Sequence, residues 1–477
     1  MLKLRTLRLS LPLVFCTIHT AHANIELPSI GENSAGLISP TEEYELGRRV
    51  ISQYRSYFPQ SQDPYYEEYL NNILGKMVLH SGLPPQKLAL LVIDDANINA
   101  FAAPGGIVGV NTGTFLVAQT EQQLASILAH ELAHLSQRHY ARRLAYQRTQ
   151  TPMNIATLLG SMLILASGNG DAGMAAITAT QAKQISNSLS FGRDMEREAD
   201  RVGLDTLINS GFDPQGMPQM FEQLARASRY RAKLPEFLLS HPITESRISD
   251  AQSRVQSLPL RHVADNEVFQ ILKARAILRH EANPQAAVKR FTDELNGITL
   301  SPLTARYGLV QALVASHRID DALREYAELE KNYSHLAAVR IAKADIYAAS
   351  DRLDLALGIL KTELDKTPSS HVANVRYAEL LMQANRYELG ESVLENHVKR
   401  EPENVYVWYL LAEMHGLAGH ILEVHKTRAE YFILMGFYDK AEIQLRNAIK
   451  LVGDDKYDKA RLEQRLVFVQ KKIKENV

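Results

Sequence analysis

Apolar residues recur along this chain in two regimes: mixed spacings over the first half, then one helical period repeated over the second. Helical patterns with one polar side run from Glu43 to Tyr57 and from Pro64 to Leu79. The apolar run Leu88 to Ile93, ending at Asp94-Asp95, predicts a buried strand. Asn99 to Gly113 alternates apolar residues with Pro104, Gly105, Gly106 and Gly109, which predicts a hairpin. Glu121 to Arg143 reads as one uninterrupted helix, with Leu124, Ile127, Leu128 and Leu135 at helical spacing and no proline or glycine inside it. Met153 to Ala166 is mostly apolar but shorter than the ~20 residues of a membrane span. Its length suits a buried helix, one folded over a cleft, or shallow membrane contact. A further helix begins at Asp194 and continues through Val202, Leu204 and Leu207 to a stop at Gly211.

From about Asn266 the strand signal almost vanishes and a period emerges. Ala344, Ala378 and Ala412 are 34 apart, as are Ala322, Ala356 and Gly390, and Pro368 and Pro402 repeat the step. This is the tetratricopeptide repeat length, with small residues where paired helices cross. Ser316-His317-Arg318, Ser350-Asp351-Arg352 and Ala384-Asn385-Arg386 are the expected turns, and Ala274 and Ala287 mark a first, looser repeat. After Ala412 the register is expected to shorten. Val424 is in phase but Gly436 to Ala441 arrives 17 residues later, so the last unit would share a helix. Solenoids of this kind are concave and hold peptides or partners.

The chemistry concentrates in His130-Glu131-Leu132-Ala133-His134. Positions i and i+4 of a helix share a face, so both imidazoles can reach one metal ion, while Glu131 stands beside it as a general base. A hydrolytic zinc site needs three protein ligands and an open position. The third is expected in Asp194-Met195-Glu196-Arg197-Glu198-Ala199-Asp200. Glu196 and Asp200 share a face, one to ligate and the other to orient a histidine, but spacing alone leaves Glu196 and Glu198 both open. The predicted hairpin offers a sheet edge to which an extended substrate can add as a strand, or plain support for the metal helix.

With 53 Lys and Arg against 54 Asp and Glu, the net charge of −1 argues against a dedicated nucleic-acid binder. Lys3, Arg5 and Arg8, the apolar Leu9 to Ile18 and Ala21-His22-Ala23 read as a signal peptide over 1–23, with a mature start at Asn24. The single cysteine, Cys16, lies within it after Phe15, which excludes a lipoprotein site. Its removal leaves no thiol, hence no cysteine protease and no thiolate ligand, and a chain suited to an oxidising compartment.

His130-Glu131-x-x-His134, Glu196-x-x-x-Asp200 and Ser240-His241-Pro242 with Arg247 together resemble the gluzincin peptidase family of HtpX and the Ste-type proteases, and nearly the whole chain resembles its exported, repeat-bearing branch. The resemblance implies a mostly α protein: a signal peptide over 1–23, an α+β zinc metallopeptidase domain over 24–262 and an α-solenoid of tetratricopeptide repeats over 263–477. It makes His130, His134 and Glu196 ligands of one Zn2+, Glu131 the general base and Asp200 the carboxylate behind a ligand. It also turns His241 and Arg247 toward the cleft, either to stabilise an oxyanion or, for His241, to occupy the open zinc position and restrain the enzyme. The implied location is the periplasm. The implied partners are unfolded or misassembled outer-membrane proteins and the β-barrel assembly machinery, with no transmembrane segment. The implied role joins assembly of β-barrel proteins to degradation of those that stall; the alternative is a repeat-based assembly factor in which proteolysis is secondary.

Overall fold

The computed structural model describes residues 38–84, 88–143, 192–229, 235–259, 263–297 and 301–476. The signal segment and the apolar Met153 to Ala166 lie outside them. Two helices open the fold, α1 (Pro40–Tyr57) and α2 (Pro64–Val78). Each starts where a side chain caps the free amides: Ser39 with Glu42 in a capping box, and Asp63 accepting from the Tyr65 amide, with proline in the first turn of both. Then β1 (Ala89–Ile93), β2 (Ala100–Ala103) and β3 (Ile107–Asn111) form a sheet in the order β1-β3-β2. β2 and β3 are the expected hairpin, antiparallel, and β1 joins β3 in parallel, so β2 is an edge strand.

After a short helix, α3 (Thr114–Val117), comes α4 (Glu121–Ser136), buried at every residue from Glu121 to His134. Polar groups of its first turn are paired: Glu121 accepts from Tyr69 and Asn266, and Gln122 accepts from the Asp213 amide. The expectation of one helix to Arg143 is corrected. The helix breaks at Gln137-Arg138, where Arg138 takes a left-handed φ of 50°, and resumes over 139–143. Nothing local forces this break. The Arg138 guanidinium is held by the Ile38 carbonyl and Glu43, contacts distant in sequence that offset the strain of a left-handed arginine.

α5 (Arg193–Asn209) crosses α4 at Gly203, whose missing side chain would lie 3.1 Å from the His130 Cα. Then α6 (Gly216–Arg229), α7 (Glu236–Ser240) and α8 (Glu245–Gln256) complete the half of the chain that carries the HExxH helix. After the pair Glu267–His280 and Pro284–Leu295, ten helices run from Pro302–Ala315 to Lys456–Asn476 among the described residues. Left-handed turns at His317, Asp351, Asn385, Gly419 and Gly453 come every 34 residues. The expected shortening of the last unit is therefore corrected: the period holds to the end, and Gly436 sits in the turn between pairs.

Residues Ile38–Val477 pack as one compact unit. The apolar core is continuous from Tyr65 through the metal-motif helix to Leu381 in the repeats. Early and late repeats both reach the first helices. Arg275 pairs with Asp63 at 2.6 Å, Asn404 donates to Glu67 at 2.8 Å, and the buried Arg55 donates to the carbonyls of Glu403 and Leu434. Among the described residues no helix is long and apolar enough to cross a membrane.

Candidate active site

The side chains that the sequence singles out converge where α4, α5 and the start of α8 meet. His130, Glu131, His134, Glu196, Asp200, His241 and Arg247 are all buried. His130 and His134, one helical turn apart, bring their Nε2 atoms to 3.0 Å. Glu196 lies 3.6 Å from His130 Nε2 through Oε2 and 3.5 Å from His134 Nε2 through Oε1. Helix α7 ends at His241, whose amide closes onto the Phe237 carbonyl, and this places its Nδ1 3.0 Å from Glu196 Oε1 and 3.4 Å from His130 Nε2. Its Nε2 is 3.5 Å from Glu131 Oε1, a buried atom with no hydrogen-bond partner among the described residues.

Each histidine of the motif is held from behind. Asp200 Oδ1 lies 3.0 Å from His130 Nδ1. Sequence reasoning missed the partner of His134, which is His139, with the two Nδ1 atoms 3.0 Å apart and His139 Nε2 3.0 Å from Glu198. This position follows from the break at Arg138, which turns His139 back beneath His134. The only signal in the sequence is a histidine just past an otherwise apolar helix. Glu198 accepts from His139 Nε2–H, which leaves His139 Nδ1 to accept from His134 Nδ1–H. Glu196 and Glu198, inseparable by spacing, thus serve different histidine groups. The two Nε2 lone pairs face each other across 3.0 Å, an arrangement that a shared cation relieves.

Ionisation fits the same picture. Burial, reinforced by the neighbouring imidazoles, holds His134 well below the usual histidine range and therefore neutral. Burial also pushes the Glu131 carboxyl up to about 8, against the pull of His130. Burial would raise Asp200 too, but hydrogen bonds from His130 and Arg247 outweigh it and hold the group at about 2. Arg247 donates to both Asp200 oxygens at 2.7 Å, and its Nη1 lies 2.8 Å from both the Pro242 carbonyl and Glu196 Oε2. His130, His134, Glu196 and His241 each offer a ligand atom within 4.8 Å of the others, a set of imidazoles and one carboxylate that could hold a divalent metal.

The edge strand β2 runs alongside, with Ala102 near Glu131. Beside it a cavity of about 280 Å3 is lined by Tyr44, Ala102, His134 and Arg138 among others. A general base, a metal-competent triad and a free strand edge in one buried place can hydrolyse an extended peptide.

The comparisons with known proteins agree. The model of peptidase family M48 matches residues 64–255, and a tetratricopeptide repeat model matches 307–371. The beta-barrel assembly-enhancing protease of Escherichia coli K12 is 30% identical over 441 residues, 92% of this chain and 90% of that one. A Vibrio cholerae protein provisionally given the same name is 33% identical over 455 residues, 93% of each chain. Mitochondrial metalloendopeptidase OMA1 of Schizosaccharomyces pombe is 30% identical over 201 residues, 42% of this chain and 56% of that one. With its buried HExxH helix, its repeats and relatives matched over nearly their full length, this chain belongs to the M48 metalloproteases of the beta-barrel assembly-enhancing group.

Proposed function

We propose that this protein is a periplasmic zinc endopeptidase with chaperone-like activity, which promotes assembly of outer-membrane β-barrel proteins and degrades those that misassemble. The observation that carries this reading is the convergence of His130, His134 and Glu196 with Glu131, beside the edge strand β2. In this reading residues 24–262 supply the chemistry and the repeats of 263–477 hold the client or the assembly machinery.

Zinc, held by His130, His134 and Glu196, would supply Lewis acidity to a peptide carbonyl and to a water. The chain's own groups do the rest. An extended client adds to β2 through backbone hydrogen bonds that do not depend on its sequence. Glu131 takes the proton of the attacking water onto its carboxylate and hands it to the leaving amide nitrogen. Asp200 and the His139–Glu198 pair fix the tautomers of His130 and His134 so that Nε2 points into the cluster. We assign Arg247 to holding Glu196 and Asp200 rather than to the oxyanion, because its donors are already engaged by them and by Pro242.

His241 is read as the restraint. Its ring stands among the ligand atoms and against Glu131, where the client carbonyl and water have to enter. The test is cleavage of an unfolded β-barrel protein by the purified chain, abolished by a chelator and restored by zinc. His241→Ala should raise the rate about tenfold, the equivalent of a restraint worth about 1.4 kcal/mol. A rate that falls instead would make His241 part of the transition state and end the restraint reading. A second expectation concerns the missed histidine. His139→Ala should weaken zinc binding about 10–100-fold in competition with a chromogenic chelator, the usual effect of losing a partner behind a ligand. Unchanged affinity would reduce His139 to packing.

A further inference from the structure

The repeats contain a second meeting of metal-competent side chains. Glu391 sits on helix Tyr387–Val398, His415 on Val405–Ala418, and His420 at the start of Ile421–Leu434. Both histidines place Nδ1 2.7 Å from the same oxygen, Oε1 of Glu391. One ligand atom from each residue lies within 4.8 Å of the others. Gly419, left-handed at φ 82°, folds the chain so that the His420 amide bonds to the His415 carbonyl at 2.9 Å, fixing two imidazoles on one tight turn. Glu391 and His415 are buried, whereas the His420 side chain is 51% exposed and leaves an approach from solvent.

The repeat itself shows how unusual this is. Thirty-four residues earlier the positions of Glu391, His415 and His420 are held by Leu357, Leu381 and Arg386, and a further step back by Leu323, Tyr347 and Arg352. Leu357 and Leu381 are buried members of the apolar core. This one repeat therefore replaces an apolar pair between successive helices by a buried carboxylate and an imidazole. Taken alone, that exchange costs desolvation that leucine would not. A ligand that needs these donors offsets the cost.

We propose that Glu391, His415 and His420 bind a divalent transition metal ion of the zinc class, separate from the site at His130. Two imidazole nitrogens and one carboxylate oxygen fill three positions of a tetrahedral site, and the exposed side by His420 leaves the fourth to water. Binding through Nδ1 moves the proton of each neutral imidazole from Nδ1, which now faces Glu391, to Nε2, and joins the turn of one repeat to the helix of the repeat before it.

The experiment compares the full-length chain with E391L/H415L/H420R, which restores the residues of the preceding repeat and so keeps a side-chain set that this solenoid already packs. After equilibration with zinc and gel filtration, metal per chain is counted by plasma mass spectrometry. The variant should hold one equivalent fewer than the wild type. The reading is this difference, so it stands or falls independently of whether the His130 site is occupied. Added zinc should raise the Tm of the wild type more than that of the variant. Equal metal content, or equal Tm shifts, in the two proteins overturns the proposal. Should the triple variant fail to fold, H420R alone, at an exposed position, should lose the same equivalent, and its retention counts equally against the site.

Discussion

Replacing Glu131 by glutamine is expected to leave the metal content of the protein unchanged and to lower kcat/KM on an unfolded protein by about 100–10,000-fold, the range that a positioned general base contributes. Glutamine matches glutamate in size, so the wall that Glu131 forms against His241 and Ala102 keeps its shape. What disappears is the carboxylate that faces the cluster from its own helix and can take a proton there. Stability separates this loss from misfolding. The Glu131 carboxyl is 1% exposed and held at about 8 by burial, so its charged form is costly in the fold. A neutral amide removes that cost, and the melting temperature of Glu131→Gln should equal or exceed that of the wild type. Were this variant to keep a tenth or more of the wild-type kcat/KM while binding metal, another group would have to be the base.

The second large effect falls on stability. Arg247 is 5% exposed and neutralises two buried carboxylates, Asp200 through both oxygens and Glu196 through one. Arg247→Ala leaves both charges in the interior without their partner, a change worth about 3–5 kcal/mol. Urea denaturation of the metal-free chain should show this loss, and Arg247→Lys should recover only part of it, because an ammonium cannot match the two-pronged contact with Asp200. The pH dependence has a definite sign. Asp200 is depressed to about 2, so its contribution is present at neutral pH and is lost as the pH falls through the carboxylate range toward 2. In Arg247→Ala this acid-labile part should shrink. A loss below about 1 kcal/mol would mean that water or relaxation replaces the guanidinium.

The HExxH motif was legible because its geometry is local: i and i+4 share a face in any helix, whatever surrounds it. Glu196 and Glu198 were not separable, since both lie within one turn of the same helix. Their roles depend on how α5 crosses α4 at Gly203, and that contact is tertiary. His139 was missed for a related reason. Its position depends on the left-handed Arg138, and an arginine carries no local signal for such a turn; the contacts to Glu43 and the Ile38 carbonyl that hold it come from 95 and 100 residues away. In the repeats the small residues gave the period but misled at the end, where Gly436 is a linker and not a crossing point. The turn residues His317, Asp351, Asn385, Gly419 and Gly453 keep the true period, because a left-handed position is needed in each unit while helix-crossing contacts tolerate substitution.

The grip of Arg55 on the Leu434 carbonyl spans 379 residues of chain. Most solenoids can grow from neighbour to neighbour, each unit docking on the one before. Here part of the surroundings of the first helix comes from residues more than 340 positions away, at Glu403 and Leu434. Closing so long a loop carries an entropic cost that grows with length, by about 0.6 kcal/mol per doubling, and distant contacts slow folding. A chain cut short before Glu403 would leave the Arg55 guanidinium without the two carbonyls that hold it, so the surroundings of the first helix depend on residues made late in the chain.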